Sequence, residues 1–229
     1  MSEIYTTSIV GPDGSGKTTT VNMVASMLGK SYSVGVLASL RNPSYVIHKG
    51  NQKLLFPTLT SKVAMLYEKG QDNNPLALFA SFLSYIAMQG RLIEPHIVKN
   101  YHPDVLLQDR HRVVDSIIMF RYYGMKDVPI NIMTSAVETV GGKSVIDDLI
   151  LLTISPEMAY KRSLQKKKSD NHESLQTISK MVVLYPTVIN HLVRMKRIRN
   201  WASLDTGTLN QNTVANNVYT RITRSKMVK

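Results

Sequence analysis

Residues Gly11–Thr20 read GPDGSGKTTT and satisfy the pattern G-x-x-x-x-G-K-[ST]. Gly11, Gly14 and Gly16 permit tight turns that aim backbone N–H groups at phosphate oxygens, and Ser15 and Thr19 belong to the same phosphate-facing run. The helix that should follow adds the positive end of its dipole. Lys17 is placed to reach the β- and γ-phosphates of ATP, and the Thr18 hydroxyl to hold Mg²⁺. Asp13 is the anomaly, because a loop that cradles a polyanion gains nothing from a carboxylate unless that carboxylate faces something else.

A second cluster, LLQDRH (Leu106–His111), closes an apolar run. In an open α/β sheet the carboxyl ends of the strands form the ligand-binding edge. Asp109 would share a crevice with Lys17 and bind Mg²⁺ or orient an acceptor, and Arg110 would neutralise a phosphate.

Positioning these groups requires alternating strands and helices. Ile4–Val10 reads as a strand entering the glycine loop, and Thr18–Leu28 as the helix leaving it. Further strands are expected at Val34–Ser39, Val105–Gln108, Leu149–Ile154 and Asn200–Leu204. Helices are expected at Thr58–Glu68, Pro75–Asn100, Val114–Tyr123, after Ser155-Pro156-Glu157, over Ser174–Arg197 with a break near Pro186, and at Thr213–Thr223. This pattern predicts a single α/β domain over residues 1–229, with a five-stranded parallel sheet covered on both faces. The stretch 42–75 is the least legible part.

Composition bounds the rest. With 43% hydrophobic and 19% charged residues the chain has the balance of a globular domain. No apolar run approaches the ~20 residues that span a bilayer, so no membrane partner is expected. The opening MSEIYTTSIVG lacks the pattern of a signal peptide, and zero cysteines exclude disulfides and thiolate metal sites, which together suit a cytoplasmic protein. A net charge of +12, concentrated in Lys161–Lys168, Arg194–Arg199 and the final residues, fits anionic nucleotides or a basic surface. Nucleic acid is not favoured as a partner, because the basic runs lack interleaved aromatic residues.

In order along the chain, GPDGSGKTTT, LRNP (Leu40–Pro43), DRH (Asp109–His111), the SPE-initiated helix (Ser155–Glu157) and WASLDTG (Trp201–Gly207) resemble the motifs of the thymidylate kinase family. The resemblance implies a P-loop NTPase-type three-layer fold and Mg²⁺-dependent transfer of the ATP γ-phosphoryl group to a nucleoside monophosphate, thymidylate first among them. It implies that Asp13 faces the acceptor, that Arg41 and Arg110 hold the acceptor's phosphate, and that Phe79 stacks on its base. It also implies a lid at about 157–172. Gly14 and Ser15 stand where some relatives carry arginine, so the lid should supply a catalytic cation. Lys161, Arg162, Lys166, Lys167 and Lys168 are the candidates, with Arg162 preferred for its planar fork. Relatives are commonly dimers, so a homodimer is implied by resemblance alone.

The family pattern fails where the base is read. The position four after Phe79, on the same helix face, carries Leu83 rather than arginine. Asn42 replaces a glutamate and Ser44-Tyr45 replace glycines. Two other readings therefore stand beside a monophosphate kinase. One is a kinase of nucleosides or another small acceptor on the same scaffold. The other is a non-catalytic nucleotide-binding protein associated with nucleic acid.

Overall fold

A computed structural model of the chain describes residues 3–39, 42–71, 75–122, 125–165 and 174–228, with backbone only at 66, 67, 69–71, 75–79, 122 and 228. β1 (Tyr5–Val10) is the central strand, paired in parallel with β5 (Val105–Asp109) on one side and β6 (Ile146–Thr153) on the other. β2 (Val34–Leu37) extends the sheet beyond β5, and β7 (Ile198–Asp205) beyond β6, both in parallel. β5 is buried along its whole length, which is why VLLQD reads as a run rather than an alternation.

The expected five parallel strands are present, but the sheet has seven, in the order β4-β3-β2-β5-β1-β6-β7. The two extra strands, β3 (Ser44–His48) and β4 (Asn51–Leu55), form an antiparallel hairpin on the outer edge of β2. Its turn is Lys49-Gly50, with φ of 50° and 77°, the paired left-handed geometry that matches strand twist. Tyr45, Val46 and Ile47 are all buried while β4 is mostly exposed, so neither strand shows the alternation that would mark it.

α1 (Lys17–Leu28) and α9 (Gln211–Val228) cover one face, packing Val21, Val24 and Leu28 with Val214, Val218 and Ile222. The other face is covered by α3 (Pro75–Ala87), α4 (Glu94–Tyr101), α5 (Arg112–Tyr122) and α8 (Leu175–Arg194). α2 (Pro57–Gln71) packs on α3. α6 (Ile130–Gly141), absent from the sequence reading, contributes Met133 and Val137 to the same core. α7 (Pro156–Leu164) follows β6, with the Ser155 hydroxyl accepting from the Met158 N–H as its cap.

Two expectations about helices are corrected. The stretch Pro75–Asn100 is not one α-helix, because a π-helical segment, Met88–Ile93, separates α3 from α4. Pro95 lies in the first turn of α4 and has no N–H to give to a carbonyl one turn back, so the chain widens its turn ahead of it. α8 runs unbroken through Pro186, which faces solvent, because its buried face from Thr177 to Leu192 packs continuously. No helix among the described residues is long and apolar enough to cross a membrane.

Candidate functional site

The glycine loop joins β1 to α1 and needs three residues without side chains. Gly11, Gly14 and Gly16 have φ of 149°, 82° and 86°. A Cβ on Gly11 would lie 2.4 Å from the Leu152 carbonyl, and one on Gly14 would lie 2.3 Å from that of Ala159. The loop is therefore pressed against β6 and α7. Gly16 has open space around it and precedes α1, whose first N–H groups have no side-chain cap. The Ser15 hydroxyl is buried with no partner, and Thr19 is exposed at the helix start.

Lys17 is 5% exposed. Its ammonium donates to the Pro12 carbonyl at 2.7 Å and lies 3.6 Å from the Asp13 carboxylate. Burial, reinforced by the Arg110 charge, pushes its pKa down to about 8; Asp13, Asp115 and Asp109 act in the opposite direction.

β5 ends on Asp109, in register with Ile9 of β1. The Thr18 hydroxyl donates to Asp109 Oδ2 at 2.7 Å. Asp109 is 1% exposed, and its Oδ1 is buried without a hydrogen-bond partner. An orphaned carboxylate oxygen beside a threonine hydroxyl fits a hard cation that takes few protein ligands and completes its shell with water and phosphate. Among the described residues no cluster of three acidic or histidine side chains competes for that role.

Arg110 turns the chain with φ of 82°, a left-handed conformation unusual for a long side chain. Its Nη2 donates to Asp13 Oδ1 at 2.5 Å and its Nη1 to Asp115 Oδ1 at 3.3 Å. Burial alone would lower its pKa, but Asp13 and Asp115 outweigh that, so the guanidinium stays charged. Burial raises the Asp115 carboxyl, with Arg110, Lys17 and the His111 N–H pulling the other way. From α8, the Tyr185 hydroxyl donates to the Gly11 carbonyl at 2.7 Å and approaches Asp115 Oδ1 at 3.3 Å.

Asp115 and Tyr185 were not among the residues expected from sequence. Asp115 had a weak signal, four residues after His111, the spacing of an acidic side chain that caps its own helix. Tyr185 had none, being one of several large residues on an amphipathic face. His111, quoted with the DRH motif, is structural. Fully buried and within 3.0 Å of the Ser144 hydroxyl, its ring has its pKa pushed down to about 3 by burial and then by Arg112.

The structure thus brings Asp13, Lys17, Thr18, Asp109 and Arg110 together. Arg162 is on α7, where its Nη2 donates to the Thr206 carbonyl at 3.0 Å, against the turn after β7. Lys161 is exposed on the same helix. Arg41, Lys166, Lys167 and Lys168 lie outside the described residues, as does all of the expected lid beyond Gln165. Phe79 falls on α3 with its side chain outside the described residues, while Leu83 packs against the core.

A cleft of about 650 Å³ lies between α1 and the β3–β4 hairpin and reaches Thr18 and Asp109 at its inner end. Tyr45 crosses it, its hydroxyl donating to Asn22 Oδ1 at 2.9 Å.

No protein-family model matches the chain. No curated protein matches it either. Among solved structures it is similar to a deoxyadenosine kinase from M. mycoides, determined with the products dCMP and a flexible dCDP bound. The two share 15% identity with a TM-score of 0.64, over 96% of this chain and 99% of that one. The likeness is one of fold: a three-layer α/β architecture with a mostly parallel sheet.

Proposed function

We propose that the chain is a Mg-ATP-dependent phosphotransferase acting on an acceptor of the nucleoside class, either a nucleoside or its monophosphate. The observation that carries this reading is the corner made by Thr18 and Asp109, with one carboxylate oxygen left unpartnered beside a buried lysine in a glycine loop. A hydrolase or a motor domain would need only the loop and the metal corner. The acceptor is suggested by the far side of the loop, where Asp13 and Arg110 meet at 2.5 Å and offer both a hydrogen-bond acceptor and a fork of donors.

In this reading the loop amides and Lys17 bind the donor phosphates, and Lys17 leaves the Pro12 carbonyl to do so. When bound at Thr18 and Asp109, Mg²⁺ offsets charge on the phosphate oxygens. The acceptor oxygen attacks the γ-phosphorus in line as the bond to the bridging oxygen of ADP breaks. Where that oxygen is a hydroxyl, its proton passes to a carboxylate, a role proposed for Asp13, which lies in the loop itself and outside the metal corner. Arg41, Phe79 and a lid cation such as Arg162 complete the acceptor and donor contacts proposed from sequence. Thymidylate is the acceptor that the motifs suggest; a nucleoside is the one that the deoxyadenosine kinase neighbour suggests.

A nucleic-acid role draws less support. Several cations that prompted it are engaged within the fold: Arg197 with Glu138 at 2.6 Å, Arg199 with Asp147 at 2.8 Å, and Arg221 with Asp148 at 2.5 Å.

Steady-state product analysis with Mg-ATP and a panel of nucleosides and monophosphates tests the proposal. Phosphorylated product is expected with at least one acceptor, and Lys17→Ala should lower turnover by about three orders of magnitude or more. ATP hydrolysis with no acceptor dependence, or a Lys17→Ala chain as active as the parent, would sink it.

A further inference from the structure

Whether the acceptor arrives with or without a phosphate is in part a question of charge, and the described residues around Arg110 bear on it. Resting on the kinase reading above, we propose that Asp115, held by Tyr185, determines acceptor specificity: by pairing with Arg110 it fits the site to an uncharged nucleoside hydroxyl rather than to a monophosphate.

Among the described residues the cluster holds two cations, Lys17 and Arg110, and three carboxylates, Asp13, Asp109 and Asp115. Lys17 and Asp109 belong to the donor phosphates and the metal corner. That leaves Arg110 between Asp13 and Asp115, each bonded to a different terminal nitrogen of its guanidinium, at 2.5 Å and 3.3 Å. An arginine so occupied is a poor receptor for a dianion. A monophosphate would have to displace one carboxylate and then sit beside both of them in a half-buried site, where the repulsion is only partly screened.

Asp115 is not free to yield. Its Oδ2 accepts from the His111 N–H at 2.9 Å, capping the start of α5, and its Oδ1 lies 3.3 Å from the Tyr185 hydroxyl. That hydroxyl also lies 2.7 Å from the Gly11 carbonyl, so the single proton of one buried tyrosine is shared between the phosphate loop and the carboxylate behind Arg110. Arg110 is itself fixed by its left-handed backbone and by its N–H, which donates to the Ile9 carbonyl at 3.0 Å. A neutral hydroxyl asks none of these groups to move. It needs one hydrogen-bond acceptor at the loop, a contact proposed for Asp13 beside its pairs with Arg110 and Lys17.

The test uses the four common deoxynucleosides and their 5′-monophosphates as matched pairs, measured for binding by calorimetry and for phosphorylation with Mg-ATP. The parent chain should favour the nucleoside of its preferred pair by about tenfold or more. Asp115→Asn keeps the cap on His111 but removes the charge, and should move that ratio toward the monophosphate by roughly ten- to hundredfold, the range of one charge-assisted bond. Asp115→Glu should retain the preference. Tyr185→Phe should move the ratio in the same direction as Asp115→Asn but by less, because Asp115 keeps its charge and its bond to Arg110 and loses only the hydroxyl beside it. A parent chain that prefers the monophosphate, binds neither member of any pair, or keeps its ratio in Asp115→Asn overturns the proposal. Should Asp115→Asn fail to fold, the parent and Asp115→Glu ratios decide. No product from any acceptor would overturn the kinase reading instead, while the binding ratios would still judge the role of Asp115.

Discussion

Lys17 stands in the fold at a cost that its neighbouring carboxylates offset only in part. An ammonium 5% exposed, with a pKa near 8 where lysine ordinarily has 10.5, is destabilising in the empty protein. Because the folded pKa is the lower one, the unfolded chain binds more protons between about pH 8 and 10.5, and stability should rise with pH across that window. Lys17→Met should therefore raise the urea midpoint at pH 7, by the equivalent of about 1–3 kcal/mol, while abolishing turnover. Activity should run the other way with pH: kcat/KM for ATP should fall as pH rises through about 8, since the neutral amine gives up its attraction for phosphate. kcat should fall later, because bound phosphate restores the charge. A flat kcat/KM profile from pH 7 to 9.5, or a less stable Lys17→Met chain at pH 7, would contradict this account.

At the level of elements, the crossing of the π-helical segment with α6 is the tightest packing the glycines report. A Cβ on Gly90 would meet the Gly141 carbonyl at 1.7 Å, and one on Gly141 would meet Ile86 at 2.6 Å. Arg91 adds bonds to the Thr139 and Val140 carbonyls at 2.9 and 3.3 Å, closing the last turn of α6. Gly90→Ala should lower thermal stability by roughly 2–3 kcal/mol or more, since backbone cannot step aside as a side chain can. A calorimetric Tm within about 2 °C of the parent would refute the close approach.

The same crossing shows what the sequence could and could not tell. The loop and Asp109-Arg110 were legible because their chemistry is local: glycines at fixed spacing, and a charged pair at the end of an apolar run. Helix Pro75–Asn100 was legible as helical but not as interrupted, because apolar spacing does not register one wide turn. α6 and Asp115 were missed because their roles come from contacts distant in sequence, such as Gly90 with Gly141 and Asp115 with Tyr185. The hairpin escaped because β3 is buried on both sides and β4 is polar, so neither has a period of two.

At the scale of the whole molecule, α9 is bolted to the sheet by one ion pair. Arg221 of α9 makes a bidentate pair with Asp148 of β6, Nε to Oδ2 at 2.5 Å and Nη2 to Oδ1 at 2.7 Å. Asp148 is 1% exposed at its side chain while Arg221 is about one-third exposed, so the partners have unequal stakes. Burial raises the Asp148 carboxyl even with Arg221 hydrogen-bonded to it. Arg221→Met retains much of the apolar stem but leaves a buried carboxylate unpaired, which should cost about 3–5 kcal/mol at pH 8. The direction with pH follows from that carboxyl. With Arg221 gone its folded pKa rises further above the ordinary 3.8, so the folded variant holds a proton that the unfolded chain has lost. Stability of the variant should then increase as pH falls through that interval, and the deficit against the parent should be smaller at pH 5 than at pH 8. Urea midpoints at the two pH values measure this directly. An equal deficit at both would mean that Asp148 finds another cation or water when Arg221 is removed, and that α9 is held to the sheet by its apolar face alone.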